Sequence, residues 1–112
     1  MISEPAASLS FYLEQLAELF PNFVPEVKQI MDPASYKIYK QTVKQPMSLS
    51  AMRSKIKDGA YSSMQFLADV QMIGSNCVSF WTGHNDGLVA EAYAFMQKVC
   101  VACGVWRVRC EV

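Results

Sequence analysis

The residues best suited to metal or redox chemistry are four cysteines, Cys77, Cys100, Cys103 and Cys110, and the only histidine, His84. Cys100 and Cys103 form a Cys-x-x-Cys pair, but a tetrahedral zinc site needs two further ligands, and the spacing of the other candidates is unsuitable. A redox pair would lie at a helix N-terminus, where the helix dipole stabilises a thiolate, whereas this pair lies near a predicted helix C-terminus. We therefore interpret both cysteines as packing residues and predict neither a metal nor another cofactor.

Nucleophilic catalysis has little support in the sequence. His84 lies in a polar turn, where a solvated side chain is the ordinary interpretation. Cys77 lies on the apolar face of a predicted helix, and a buried thiol is a poor nucleophile because the thiolate is the reactive form. No Ser–His–Asp or Cys–His arrangement can be assembled, and no phosphate-binding glycine loop is present. We predict that the protein is not an enzyme.

The composition limits the classes of protein to which this chain can belong. The 112 residues are 52% hydrophobic and 18% charged, which predicts a single folded domain over residues 1–112. Lysine plus arginine equals aspartate plus glutamate, so there is no basic excess for nucleic acid. No segment approaches the roughly 20 consecutive apolar residues of a membrane span. Met1–Ser10 lacks the pattern of a secretory signal, so we expect an intracellular protein with reduced cysteines.

Four segments carry apolar residues at three- and four-residue intervals, the pattern of helices that bury one face. The spacing predicts helices over about 8–20, 48–58, 62–81 and 86–103. Ser48 and Ser62 can cap the second and third helices, and Ser62 with Gln65 has the capping-box spacing. Gly74 lies inside the third helix at a cost of about 1 kcal/mol against alanine, so close packing or simple tolerance must account for it.

The long connection between the first two helices, residues 21–47, has no single periodicity. Four prolines interrupt it, but it is rich in apolar residues, unlike a flexible linker. We predict an ordered loop packed against the helices, with short helical turns near Glu26–Met31 and Ser35–Lys40. One long and two short connections predict an all-α, up-down four-helix bundle. The tail after Gly104 is compatible with a strand or an irregular end.

Several short patterns follow one another in the central part of this sequence. Tyr39 precedes Pro46-Met47 by seven residues, and Asp58-Gly59-Ala60-Tyr61 follows the second helix. Phe66-Leu67-Ala68-Asp69-Val70 and then Asn76-Cys77 lie in the third helix. Together with the helix layout and the long first loop, these patterns make the chain resemble a divergent bromodomain over nearly its whole length. The resemblance implies a left-handed bundle in which the first and last loops frame a pocket for acetylated lysine.

The resemblance also assigns residues to this pocket. Tyr39 corresponds to the loop tyrosine that holds a pocket water, Phe23 to an aromatic shelf, and Leu88 to the residue at the pocket entrance. The full set at the acetyl-lysine pocket is Phe23, Val24, Val27, Tyr39, Phe80, Trp81, Asn85 and Leu88. Core packing alone is the alternative interpretation of the apolar members.

The chain departs from the family at the principal polar contact. Bromodomains typically read Asn-Cys-x-x-Tyr-Asn here, whereas this chain has Phe80 in place of the tyrosine and Trp81 in place of the ligand-binding asparagine. Asparagine offers two donors and an acceptor, whereas indole offers one N–H. Three outcomes follow: Trp81 fills the pocket, Trp81 donates its N–H to the acetyl group, or Asn85 supplies the donor instead.

The resemblance implies a chromatin-associated interaction module of the nucleus, with a role in transcription regulation. Its partners would be acetylated histone or other protein tails, bound with weak or altered affinity, and other chromatin-complex subunits. Direct contact with nucleic acid or membrane is not expected. The alternative is a degenerate bromodomain that does not bind acetyl-lysine and serves as a protein–protein scaffold.

Overall fold

A computed structural model describes the backbone of residues 6–103 and the side chains of residues 9–99. Over that range the chain forms six α-helices, one 3-10 turn and no strand. The elements in chain order are α1 (Ala6–Leu19), a 3-10 turn (Pro21–Phe23), α2 (Val27–Ile30), α3 (Pro33–Thr42), α4 (Leu49–Asp58), α5 (Ser63–Trp81) and α6 (Asp86–Cys103). The predicted all-α class is confirmed. The tail after Gly104 and Cys110 lie outside the described residues, and the extent of the domain over 1–112 stays a prediction.

Helices α1, α4, α5 and α6 form a four-helix bundle, in which α5 packs most extensively on α6 and α1 on α4. Arg53 on α4 joins α1 through two hydrogen bonds to the Glu14 carboxylate, at 2.8 and 3.0 Å. The central cluster of the core joins buried apolar side chains from all four helices with Phe23 of the first loop. No helix among the described residues is both long enough and apolar enough to cross a membrane.

The helix ends follow the capping signals in the sequence. The Ala51 amide donates to the Ser48 hydroxyl at 3.1 Å, which caps α4. The predicted capping box of α5 is confirmed, because Ser62 and Gln65 exchange both bonds, at 3.2 and 2.8 Å. Gly59 ends α4 at a φ of 106°, a conformation that side-chain-bearing residues rarely adopt.

The first loop contains more helix than the sequence pattern predicts. The turn expected near Glu26–Met31 is α2, whereas the one expected over Ser35–Lys40 is the longer helix α3. The helix is two residues longer at each end, and at its start the Ser35 amide donates to the Asp32 carboxylate at 3.0 Å while Pro33 occupies the first turn. Aspartate followed by proline is a helix-start signal, because proline's missing N–H has no partner at that position in any case.

Close packing accounts for Gly74 in α5. A Cβ atom at this position would overlap the side chain of Met96 on α6. The missing side chain therefore lets α5 and α6 pack closely. This packing offsets the cost of placing glycine inside a helix.

A buried carboxylate joins α4 to α5. Asp69 is 6% exposed and accepts a hydrogen bond from the Tyr61 hydroxyl at 2.6 Å and one from the Lys55 ammonium at 2.9 Å. Burial and then the bond to Asp69 raise the pKa of Tyr61, so this hydroxyl stays a donor. A charge removed from water is tolerable only with such partners, so Tyr61 and Lys55 fix the contact between these helices.

We predict that Tyr61→Phe lowers the free energy of unfolding by about 1–3 kcal/mol, because a buried carboxylate loses one of its two donors. Urea denaturation followed by circular dichroism measures the change. Tyr93→Phe is the matched control, since Tyr93 is 57% exposed and its substitution should change stability by less than about 0.5 kcal/mol. Equal effects of the two substitutions would contradict a stabilising role for the bond to Asp69.

Candidate functional site

A cavity of about 350 Å³ lies between the first loop and the region where α5 ends and α6 begins. Its size falls within the range of about 300–1,000 Å³ that is usual for ligand pockets. The 3-10 turn, α2, α3, α5 and α6 all contribute to its wall. The lining residues are Asn22, Phe23, Pro25, Val27, Ile30, Met31, Tyr39, Met47, Ile73, Cys77, Trp81, Asn85 and Leu88.

Three hydrogen bonds hold the first loop against the bundle. The Ser50 amide on α4 donates to the Val24 carbonyl at 3.0 Å. The Asn76 side chain on α5 donates to the Gln45 carbonyl at 2.9 Å, and the Asn22 side chain donates to Glu91 on α6 at 3.3 Å. The loop is thus attached to three helices, which gives the cavity a fixed wall on that side.

Tyr39 is one of the cavity-lining residues and carries a hydroxyl group. Its ring is buried, and the Phe80 ring meets it at 4.9 Å with an interplanar angle of 70°. Burial raises the pKa of Tyr39 to about 12, with a smaller effect of Cys77, so the phenol is neutral at physiological pH. Among the described residues this hydroxyl has no hydrogen-bonding partner. Because every buried side-chain nitrogen and oxygen atom there has one, the Tyr39 hydroxyl oxygen must be accessible to water although the ring is buried. The Tyr39 hydroxyl can therefore bond to a ligand or to water in the cavity.

Trp81 is the last residue of α5 and lies on the cavity wall without filling the cavity. Its half-buried indole packs against the Phe80 ring at 4.8 Å and 88°. Its carbonyl accepts hydrogen bonds from the amides of His84 and Asn85, both at 2.8 Å. These bonds fix the turn that follows α5, and they leave His84 as an exposed turn residue, away from the cavity lining.

Asn85 lies at the start of α6 and also lines the cavity. Its side-chain oxygen accepts a hydrogen bond from the Leu88 amide at 3.0 Å, which caps the first turn of α6. The next residue, Asp86, accepts a hydrogen bond from the Gly83 amide at 3.2 Å. The position of Asn85 at the cavity wall is thereby set by the helix that it caps.

The thiol of Cys77 lies on the α5 side of the cavity. It is buried and donates to the Leu88 carbonyl at 3.6 Å. Burial, together with the nearby Glu91 carboxylate, raises the pKa of the Cys77 thiol to about 11, which leaves it protonated and poorly nucleophilic. Among the described residues no group of three histidine, cysteine or acidic side chains could hold a metal ion. The side chains of Cys100 and Cys103 lie outside the described part of the chain.

A comparison with protein families matches residues 12–99 to the family described as Bromodomain, which is well over half of the chain. The chain belongs to the bromodomain family. The resemblance inferred from the sequence is thus confirmed, and the matched range contains every residue that lines the cavity of this bromodomain. Members of this family are binding modules rather than enzymes. A comparison with curated proteins gives no significant match.

The structure brings six of the eight residues assigned to the bromodomain pocket to one cavity. They are Phe23, Val27, Tyr39, Trp81, Asn85 and Leu88. Val24 is not among the lining residues, since its side chain packs against the core while its carbonyl is bonded to α4. Phe80 is not a lining residue either. Consecutive residues of a helix point about 100° apart, so Phe80 and Trp81 lie on different faces of α5. The Phe80 ring packs against the rings of Tyr39 and Trp81.

Several lining residues of this bromodomain were not predicted from its sequence. Ile73 and Cys77 precede Trp81 at four-residue intervals, so the helical period alone could have placed them on its face. Asn22, Pro25, Ile30, Met31 and Met47 belong to a segment without periodicity, where no sequence signal indicates which side chains face inward.

We predict that Cys77 resists alkylation in the folded bromodomain. With a pKa of about 11 against an ordinary value of 9.0, its thiolate fraction at neutral pH is about a hundredfold lower than that of a solvated thiol. Iodoacetamide labelling at pH 7.5, followed by digestion and mass spectrometry of the Cys77 peptide, measures the rate. The same labelling in denaturing urea is the control and should be at least about tenfold faster. Equal rates in the two conditions would contradict the assigned pKa.

Proposed function

We propose that this bromodomain recognises acetylated lysine in histone or other protein tails. The observation that carries the proposal is the cavity of about 350 Å³, which persists beside Trp81 and is lined by Tyr39, whose hydroxyl is neutral. Acetylation removes the charge of lysine and leaves an amide on an apolar stem. Apolar walls such as Val27, Ile73 and Leu88 suit that stem. An ammonium group would lose its hydration there without compensation, so unmodified lysine should be rejected.

The tryptophan at position 81 sets the expected strength of binding. An indole has one N–H and no acceptor, so it cannot reproduce the hydrogen bonds of the asparagine side chain that is usual in this family. Loss of a hydrogen-bonding partner from a buried amide costs about 1–3 kcal/mol. We therefore propose weak or altered acetyl-lysine binding.

Family membership supports a proposal for the cellular setting. We propose a chromatin-associated module in the nucleus that contributes to transcription regulation, with acetylated tails and other chromatin-complex subunits as partners. Basic and acidic residues are equal in number, so the composition has no excess of positive charge that would support direct binding to nucleic acid.

A protein–protein scaffold without acetyl-lysine binding is the second candidate. Its support is the replacement of the asparagine by Trp81, together with large exposed apolar side chains on the first loop. Ile30 on α2 is 61% exposed and Ile38 on α3 is 57% exposed. A partner that covers these side chains would remove apolar surface from water.

We predict that an acetylated histone-tail peptide shifts the NMR signals of Tyr39, Trp81 and Leu88 in a ¹⁵N-labelled sample. The same peptide without acetylation is the control and should leave these signals in place, because the apolar cavity disfavours ammonium. No shift at millimolar peptide would contradict the reader proposal and favour the scaffold.

A second prediction concerns the location of binding. Leu88→Trp introduces a larger side chain into the cavity wall and should abolish binding of the acetylated peptide. Ile38→Trp makes a comparable change on the exposed surface of α3, outside the cavity lining, and should leave binding unchanged. Calorimetric titration of each variant measures binding, and thermal melting confirms that it is folded. Retained binding by the Leu88 variant would show that the peptide binds elsewhere.

A further inference from the structure

We propose that Asn22 and Asn85 form a complementary amide pair that recognises the acetamide head of the ligand. In this arrangement Asn85 donates to the acetyl carbonyl oxygen, and Asn22 accepts the hydrogen bond of the acetamide N–H. The inference rests on the proposed acetyl-lysine binding and names the residues that serve in place of an asparagine at position 81. Both asparagines are exposed residues that line the edge of the same cavity, one on the loop side and one at the start of α6.

The orientation of the Asn85 amide is fixed by chemistry. Its partner is the Leu88 backbone N–H, which can only donate, so the atom that caps α6 must be the side-chain oxygen Oδ1. The nitrogen Nδ2 therefore remains with two hydrogens to donate. Within the described part of the chain these hydrogens have no protein acceptor. A carbonyl oxygen in the cavity is the group that they suit.

The orientation of the Asn22 amide is fixed in the opposite sense. Its partner is the Glu91 carboxylate at 3.3 Å, which can only accept, so the bonded atom must be Nδ2. The oxygen Oδ1 remains as an acceptor, and no donor among the described residues occupies it. Because the partner of Nδ2 is charged, its pull on the amide makes Oδ1 a stronger acceptor.

The two free hydrogen-bonding groups, the Nδ2 donor of Asn85 and the Oδ1 acceptor of Asn22, match a secondary amide. An acetylated lysine presents one carbonyl oxygen and one N–H, so each group finds its complement in this pair. A lysine ammonium has only donors, and it would bring them to the Nδ2 hydrogens of Asn85. A tertiary amide retains the carbonyl but lacks the N–H. The pair therefore predicts a specific order of ligands, with the secondary amide bound best.

The Asn85 contact is tested with two variants that keep the helix cap. Aspartate and serine both cap helices as well as asparagine does, but Asn85→Asp removes the donors and Asn85→Ser shortens the side chain beyond reach. Each variant should bind a short synthetic acetyl-lysine peptide about tenfold more weakly, the loss expected for one hydrogen bond, with an unchanged melting temperature. If the serine variant binds as tightly as the wild type, Asn85 is not the donor.

The Asn22 contact is tested with a matched pair of peptides. One carries acetyl-lysine, and the other carries the same residue with a methyl group in place of the side-chain N–H hydrogen. The wild type should prefer the first by about tenfold, and Asn22→Ala should weaken binding of the first and remove the preference. A preference that persists in the Asn22 variant would mean that the methyl group merely clashes, and would overturn the role of Asn22.

The outcomes separate this inference from the function on which it rests. If the wild type binds no acetylated peptide in either titration, the acetyl-lysine proposal and the amide pair both fail. If the wild type binds the acetylated peptide but the Asn22 and Asn85 variants, folded by thermal melting, bind it equally well, only the amide pair fails. Weaker binding by both variants and loss of the ligand preference in Asn22→Ala would support the pair.

Discussion

The contact between Phe23 and Phe95 is the interaction on which the site depends. Phe95 is fully buried on α6, and the Phe23 ring reaches it from the 3-10 turn with 4.9 Å between ring centroids. Phe20 adds a second ring at 5.3 Å. The prolines of the first loop prevent one continuous helix from packing along the bundle, so the loop must be fastened at particular points. With the aromatic contact at its start, the rest of the loop spans a space that becomes the cavity.

The sequence could predict the helices because their burial follows a period, and it could predict their ends because Ser48 and Ser62 cap them locally. It could indicate Trp81, Asn85 and Leu88 through resemblance to a family. It could not predict the role of Asn22, since the hydrogen-bonding partner of Asn22 is 69 residues away on another helix. The start of α3 was missed for a different reason, because the signal from Asp32 and Pro33 lies outside the periodic residues.

Trp81 illustrates how a bundle can lose a polar group and retain a pocket. The indole takes its place in a chain of aromatic rings with Phe80 and Tyr39, which keeps it at the wall. Polar groups remain on both sides of the cavity, but they come from the 3-10 turn, α3 and the first turn of α6. The polar groups of such a site depend less on one residue at the end of α5 and more on how the loop and α6 are held together.

The raised pKa values of Tyr39 and Cys77 have a consequence for the physical character of the cavity. Both groups stay protonated at physiological pH, and the other polar side chains that line the wall are amides and an indole. The walls of the cavity are therefore uncharged across the physiological pH range, so dissolved salt has no charge there to screen. Ionic strength would act only on the charges outside the cavity, and so on how fast a charged tail arrives rather than on how firmly its neutral side chain is held.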